Sequence, residues 1–338
     1  MIKEAISKIV SGSDLTMAEA RGVMSEIMHG QATPAQIGAF LTALRMKGET
    51  AGEIAGCAQA MKESAITVKP RRNQLVDTCG TGGDGQGTFN ISTTVAFVAA
   101  GAGLAVAKHG NRSVSSKCGS ADLLQALGVN LGLTPEQIAK CIDEVGIGFL
   151  FAPKLHPAMK HALGPRQEIG LRTIFNILGP LSNPANAKRQ LLGVYDSNLT
   201  ELMADVLRTL GAESAFVVYG ADGLDELSTT GLNKVARLSK GKVETYYLDP
   251  EDLGLPRAKL SDLIGGAVEE NVAITKSVLE GEHGPKRDVV LLNAAAVLIV
   301  GDKAKDFDQA LKLAAESIDS GKALNKLEHL VDFTRSFT

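Results

Sequence analysis

Along the first 66 residues the apolar positions recur at helical spacing, and three such stretches open on the same device. A threonine is followed by a Glu or Gln in the third place after it at Thr16/Glu19, Thr33/Gln36 and Thr50/Glu53. This is a capping box, in which side chains and backbone satisfy each other's free donors at a helix start. The second stretch has Pro34 in its first turn, sets Ile37, Phe40, Leu41 and Leu44 on one face, and ends at Gly48. Residues 1–66 are therefore expected to form a small all-helical domain.

At Lys69, Pro70, Arg71, Arg72 and Asn73 that periodicity stops. Beyond it, short apolar runs alternate with amphipathic stretches, which predicts an α/β fold with a central, mainly parallel sheet flanked by helices. The larger α/β domain is expected over 74–338, with strands at 75–78, 104–107, 148–151, 191–195 and 215–219. Thr134-Pro135 opens a helix that Gly146 closes, and Thr200 opens one that Gly211 closes after Leu202, Val206, Leu207 and Leu210. The apolar run from Val289 to Val300 contains Asn293 and falls short of the roughly 20 residues a bilayer needs, so it predicts a buried helix. Past Ser228 the pattern does not order the strands, and there is no internal repeat.

Between the first strand and its helix, Gly80, Gly82, Gly83, Gly85 and Gly87 crowd one loop. So many glycines cost conformational entropy, which argues against a merely flexible turn. They let backbone amides approach an anion closely, while the next helix adds its positive end and the hydroxyls of Ser92, Thr93 and Thr94. Gly80, Gly82 and Gly85 also match the spacing of a dinucleotide fingerprint, but that site needs an acid about 20 positions on, where Ala107, Lys108 and His109 stand. No lysine followed by serine or threonine ends the loop, so a Walker site is absent too. A phosphate-bearing ligand held in another way is the expectation.

The second strand runs into residues 108–122, which carry Lys108, Arg112 and Lys117, Asn111 and several hydroxyls. Two neighbouring strand ends would then share one crevice, where ligands of open α/β sheets bind, with three cations opposite the glycine loop.

Composition narrows the partners. Thirty-five basic against 38 acidic residues give a net charge of −3, so no positive field draws the chain to nucleic acid or anionic lipid. Cys57, Cys79, Cys118 and Cys141 are too sparse for a disulfide scaffold and lack zinc-site spacing; they read as reduced thiols in cytoplasm. The start shows no export signal. Neither Cys79 nor Cys118 has an obvious paired base, and His156 and His161 read as packing or surface residues.

Gly-Thr-Gly-Gly-Asp at 80–84 and Lys-His-Gly-Asn-Arg at 108–112 together resemble the anthranilate phosphoribosyltransferases. The likeness covers nearly the whole chain, from Gln36-Ile-Gly-Ala-Phe-Leu and Lys47-Gly-Glu-Thr to His156-Pro-Ala-Met, Thr173-Ile-Phe-Asn-Ile-Leu-Gly-Pro-Leu and Asp225-Glu226-Leu. It implies transfer of the 5-phosphoribosyl group of phosphoribosyl pyrophosphate to the amine of anthranilate, a step of tryptophan synthesis. It further implies Mg²⁺, two ions per subunit, a cleft between the domains, and a homodimer joined through the helical domain. The small domain is expected to borrow a returning segment near 168–185.

Carried over residue by residue, Gly80, Thr81, Gly82, Gly83, Asp84, Thr88, Asn90, Ser92, Thr93, Lys108, Asn111 and Ser120 would contact phosphoribosyl pyrophosphate. Asp225 and Glu226, with Ser92, would hold metal; taken alone, two adjacent acids read as a solvated loop pair. Arg166 would fork onto the anthranilate carboxylate, with Gly80, Asn111, His109, Met159 and Pro180 around the acceptor. An aromatic amine is neutral at pH 7, so no residue is assigned as acid or base and His109 keeps an ordinary loop role as its alternative. The chain departs from the family at Cys118, where serine is common, at Gln86, and at Gln167, where a second cation is common.

The alternative with the same architecture is a pyrimidine nucleoside phosphorylase, disfavoured by the second loop and by the Asp-Glu pair. A non-enzymatic nucleic-acid binder built on this fold is opposed by the acidic balance and the intact loops.

Overall fold

The computed structural model describes residues 1–113 and 117–337. Four helices come first: α1 (Ile2–Val10), α2 (Met17–Met28), α3 (Pro34–Lys47) and α4 (Ala51–Glu63). All three capping boxes form, and Gly48 ends α3 with φ of 89°. Glu53 does more than cap α4. Fully buried, it also accepts from the Leu15 N–H at 2.9 Å and pairs with Lys47 at 3.0 Å, so one carboxylate ties three segments of the helical unit together.

The chain then alternates: β1 (Leu75–Gly80), α5 (Ile91–Gly101), β2 (Ala105–Gly110), α6 (Ser120–Ala126), α7 (Pro135–Lys140) and β3 (Ile147–Phe151). Next come α8 (Ala152–Leu155), α9 (Lys160–Ile169), α10 (Phe175–Leu181), β4 (Arg189–Gly193), α11 (Leu199–Thr209) and β5 (Ser214–Tyr219). Two further strands, β6 (Asn233–Ser239) and β7 (Lys242–Leu248), precede α12 (Val268–Leu279), α13 (Pro285–Val300), α14 (Phe307–Asp319) and α15 (Lys322–Arg335).

The sheet has the order β3-β2-β1-β4-β5-β6-β7. The first five strands by sequence pair in parallel, as expected, while β6 and β7 add antiparallel at one edge. The chain winds outward from β1 to β3, then returns to lay β4 and β5 on the other flank of β1. The junction of β1 and β4 is thus the point where winding reverses, and the crevice beyond its carboxyl ends is the natural ligand site.

On one face of the sheet α5 packs with α13, α14 and α15; on the other α11 packs against β5, β6 and α4. The apolar run 289–300 becomes α13, buried throughout. Between β3 and β4, α9 packs on α3 and α2, and α10 packs on α4.

Two expected details differ. Thr200 does not open α11: the helix starts at Leu199 after Asn198, and the Thr200 hydroxyl donates to the Ser197 carbonyl at 2.8 Å inside the first turn. After α7 the expected helix continues as a π turn over Cys141–Val145 before Gly146 closes it in the left-handed region.

Candidate active site

The glycine loop leaves β1 at Gly80 and is fastened to three neighbours. The Thr81 N–H donates to the Gly193 carbonyl at the end of β4 (2.9 Å), and the Thr81 hydroxyl accepts from the Tyr195 N–H (3.2 Å). The Gly82 N–H donates to Asp225 Oδ2 at 2.6 Å. Farther along, Gly87 accepts from the Gly265 N–H and Phe89 donates to Leu263, with Thr88 bridged to Ile264. Gly82, Gly83, Gly85 and Gly87 all have positive φ, between 68° and 78°, a backbone conformation that side chains resist.

Asp225 and Glu226 lie in the turn that follows β5, held over the strand ends. A methyl carbon on Gly193 would sit 1.5 Å from the Asp225 carbonyl oxygen, and one on Gly80 would sit 2.2 Å from Asp225 Oδ2. Glycine at both positions is what lets the turn come down onto β1 and β4. From below, Asn293 of α13 holds the turn by accepting from the Leu227 N–H (3.0 Å) and donating to its carbonyl (2.7 Å).

Glu226 Oε1 accepts from the Ser92 N–H at the start of α5, at 3.1 Å. Lys108 of β2, 3% exposed, donates to the Thr78 carbonyl at 2.5 Å and stands 3.4 Å from Ser92 Oγ. Burial pushes the Asp225 carboxyl above its usual range, and the neighbouring Asp84 adds to the effect. Burial likewise raises Glu226, Asp225 raises it further, and Lys108 pulls the other way. Acids pressed together with so little countercharge fit a divalent cation. No three His, Cys, Asp or Glu converge on a complete metal shell among the described residues. Such an ion would therefore take further oxygens from a ligand or water.

Of the three cations expected opposite the glycine loop, Lys108 is in contact with Ser92 behind it. Arg112 instead pairs with Asp122 at 2.7 Å and bonds Gln125, and Lys117 is exposed. Asn90 Nδ2 donates to the Cys118 carbonyl at 3.1 Å and so joins the two loops; its Oδ1 is buried without a partner among the described residues. The Asn111 carbonyl accepts from the Ser120 hydroxyl at 3.2 Å. Val114, Ser115 and Ser116 of the second loop lie outside the described residues. Thr93 is buried against the sheet, lining a small internal cavity with Phe97, Lys108 and Phe149, so its hydroxyl is closed off from the crevice.

Around the expected acceptor position, Arg166 of α9 is half-buried with its guanidinium carbon 4.9 Å from the centre of the Phe175 ring. It has no ion-pair partner among the described residues. His109 donates its backbone N–H to Asp77 (3.1 Å), and its ring Nδ1 lies 3.2 Å from the Gly179 carbonyl. The Pro180 carbonyl accepts from Gln190 at 2.8 Å, and Met159 packs on the helical core.

His156 is buried, as expected of a packing residue, with its ring centroid 5.1 Å from that of His109. Burial drives both rings to stay neutral. It lowers His156 to about 4, and burial with the adjacent His156 lowers His109 to about 3. Neutral His109 that donates Nδ1–H to Gly179 leaves Nε2 as a bare acceptor.

Because the unfolded rings take up protons near pH 6.5, the stability they contribute is present above that pH and declines as pH falls towards 4. The urea midpoint should drop over that window. In His109→Gln/His156→Gln the drop should flatten, and an unchanged slope would mean these rings titrate normally.

The comparisons with known proteins agree with this architecture. Residues 3–65 match the helical bundle domain of a glycosyl transferase family, and residues 72–324 match the a/b domain of a glycosyl transferase family. The anthranilate phosphoribosyltransferase of Moorella thermoacetica is 58% identical over 337 residues, covering 100% of this chain and 99% of that one.

The chain belongs to the anthranilate phosphoribosyltransferase family. Its fold superposes on the crystal structure of the Thermus thermophilus enzyme with a TM-score of 0.93 at 46% identity, covering 98% of this chain and 99% of that one. The Saccharomyces cerevisiae enzyme in complex with phosphoribosyl pyrophosphate and Mg gives a TM-score of 0.91 at 31% identity, covering 99% and 98%. The yeast enzyme has also been solved with 4-fluoroanthranilate.

Several residues that shape this family's crevice here were not singled out by the sequence reading. Asp77, fully buried in β1, accepts from His109 and from Asn183 Nδ2 (2.7 Å), and Asn183 also donates to the Ala107 carbonyl. The signal was present: a carboxylate inside an apolar strand needs partners. For Asn293 and Gly193 no local pattern points to the Asp225 turn.

Proposed function

We propose that the crevice at the β1–β4 junction carries out transfer of the 5-phosphoribosyl group from phosphoribosyl pyrophosphate to the amine of anthranilate, with release of pyrophosphate. The observation that carries this reading is the meeting of the glycine loop, the α5 start and the Asp225–Glu226 turn at one point of the sheet edge. Loop amides with buried acids behind them suit a leaving group whose negative charge grows as the C1–O bond of the ribose breaks.

Asp225, Glu226 and Ser92 would hold Mg²⁺, two ions per subunit in this proposal, together with phosphate oxygens of the substrate. A bound ion there would neutralise the departing pyrophosphate. Gly80, Thr81, Gly82, Gly83 and Asp84 line the loop, with Thr88, Asn90 and Thr93 following it. Lys108 supplies fixed positive charge beneath Ser92, and Asn111 and Ser120 stand on the second loop. Arg166, which has no ion-pair partner among the described residues, would take the anthranilate carboxylate, with His109, Met159 and Pro180 as further walls. Because the aromatic amine arrives neutral, holding it in line with C1 replaces the need for a strong base.

The domain division at 66–74, with 168–185 returning to the helical unit, belongs to the same proposal. So does a homodimer through that unit, supported by exposed apolar Met46, Leu163 and Leu171; a single-chain mass in light scattering would remove it. A cytoplasmic location is supported by four buried cysteines that form no disulfide among the described residues, and recovery of the enzyme outside the cytoplasm would overturn it.

The test is pyrophosphate release from phosphoribosyl pyrophosphate with Mg²⁺. It should require anthranilate, and Arg166→Ala should raise the anthranilate KM at least tenfold more than that of the other substrate. Phosphorolysis of thymidine or uridine instead would favour the pyrimidine nucleoside phosphorylase alternative.

A further inference from the structure

Arg172 lies between α9 and α10, in the short stretch after Gly170, and its side chain reaches across to the glycine loop. Its Nη2 donates to the Gly83 carbonyl, and its guanidinium carbon sits 4.5 Å from the centre of the Tyr195 ring. Tyr195 in turn donates its backbone N–H to the Thr81 hydroxyl at 3.2 Å, while Thr81 is bonded to Gly193. One guanidinium therefore touches the loop directly and, through Tyr195, again two residues earlier. No carboxylate pairs with it among the described residues.

The stretch it anchors also carries the acceptor-side cation. Arg166 stacks on Phe175, which folds 166–175 back on itself. The Thr173 N–H donates to Asn176 at 3.0 Å, fixing the start of α10. The α10 helix ends in the Gly179 and Pro180 carbonyls that hold His109 and Gln190. Whatever fixes Arg172 therefore fixes the frame of Arg166, Gly179 and Pro180.

We propose that Arg172 is a positioning residue that couples occupancy of the glycine loop to the acceptor-binding segment 166–180. The proposal rests on the transfer reading above. A polyanion on the loop amides meets a guanidinium that pairs with no carboxylate among the described residues and is already bonded to Gly83. Its attraction favours the docked arrangement of Arg172, and the docked arrangement is the one that holds Arg166 in place. By linkage, a filled loop then tightens acceptor binding, and a bound acceptor tightens the loop's hold by the same factor.

The chain has no tryptophan, so the fluorescence of anthranilate itself can be followed against a low background. Anthranilate would be titrated with and without inorganic pyrophosphate and Mg²⁺. The wild-type chain should bind anthranilate at least about fivefold more tightly with pyrophosphate present. In Arg172→Gln that ratio should fall to within about twofold of unity, because affinity with pyrophosphate present falls further than affinity without it. Tyr195→Leu, which keeps the cation but removes its platform, should also lower the ratio, and it decides the matter should Arg172→Gln not fold.

A wild-type ratio of one overturns the coupling. So does a wild-type ratio retained in the variants, or equal weakening in both states. Absence of anthranilate-dependent pyrophosphate release by the wild-type chain would instead bring down the transfer reading itself, an outcome separate from these.

Discussion

Replacing Asp225 by Asn and Glu226 by Gln together is expected to lower turnover by about 10³ or more while leaving the chain as stable as before, or more so. Removal of one preorganised stabiliser of developing charge costs about 10² to 10³ in rate. In the proposed reading the two acids act together on bound Mg²⁺, so their losses will not simply add. The amides keep the local geometry, because Asn Oδ1 can still accept from the Gly82 N–H and Gln Oε1 from the Ser92 N–H.

Charge is what disappears. Both carboxyls are raised above their usual range in the fold, chiefly by burial. The stability they contribute is therefore full below their unfolded pKa and lost as pH rises through the folded one. At pH 7 to 8 the wild-type chain bears that cost and the double variant does not. Pyrophosphate release across a magnesium titration, paired with urea unfolding at pH 6 and pH 8, checks both halves. Turnover within tenfold of wild type would remove these acids from the reaction.

This opposition between activity and stability explains why the site was only partly legible in the sequence. Local chemistry read well. Capping boxes need a threonine and an acid or amide at fixed spacing, and each of Thr16, Thr33 and Thr50 forms one. The glycine loop read well for a similar reason, since positive φ at four nearby positions forces a visible cluster.

The α11 start read poorly because Thr200 and Asn198 both offer the right chemistry within one turn, and its Thr200 hydroxyl was already committed to Ser197. The order of β6 and β7 was left open at the sheet edge, where β7 mixes exposed and half-buried positions and buries none of its side chains. Contacts such as Asp77 with Asn183 or Asn293 with Leu227 join segments far apart in the chain. Their pairing is set by the sheet order, which no local pattern encodes. Asp225 and Glu226 make the point most sharply: two adjacent acids look like surface, and only the glycines beneath them bring them inside.

Gly193→Ala should accordingly damage the enzyme although the substitution adds a single methyl group. That carbon would fall 1.5 Å from the Asp225 carbonyl oxygen and 2.2 Å from its carbonyl carbon. Both are backbone atoms, so no rotamer change relieves the clash. Nor can the turn slide away freely. Leu227 is bonded at both its N–H and carbonyl to Asn293, and the Ser228 N–H donates to Asn233 Oδ1 at 2.7 Å.

The expected result is a stability loss of about 1 to 3 kcal/mol, as for other overpacked sites. Turnover should fall by about 10² or more, because displacement of the Asp225 carboxylate by about 1 Å spoils a preorganised site. Gly52→Ala provides the control: that glycine lies inside α4 with nothing within 4 Å of an added carbon, so the change should stabilise the helix by up to about 1 kcal/mol and leave turnover alone. If Gly193→Ala behaved like Gly52→Ala, the close seating of the Asp225 turn on β4 would not be what positions the carboxylate, and its place in the chemistry would need another support.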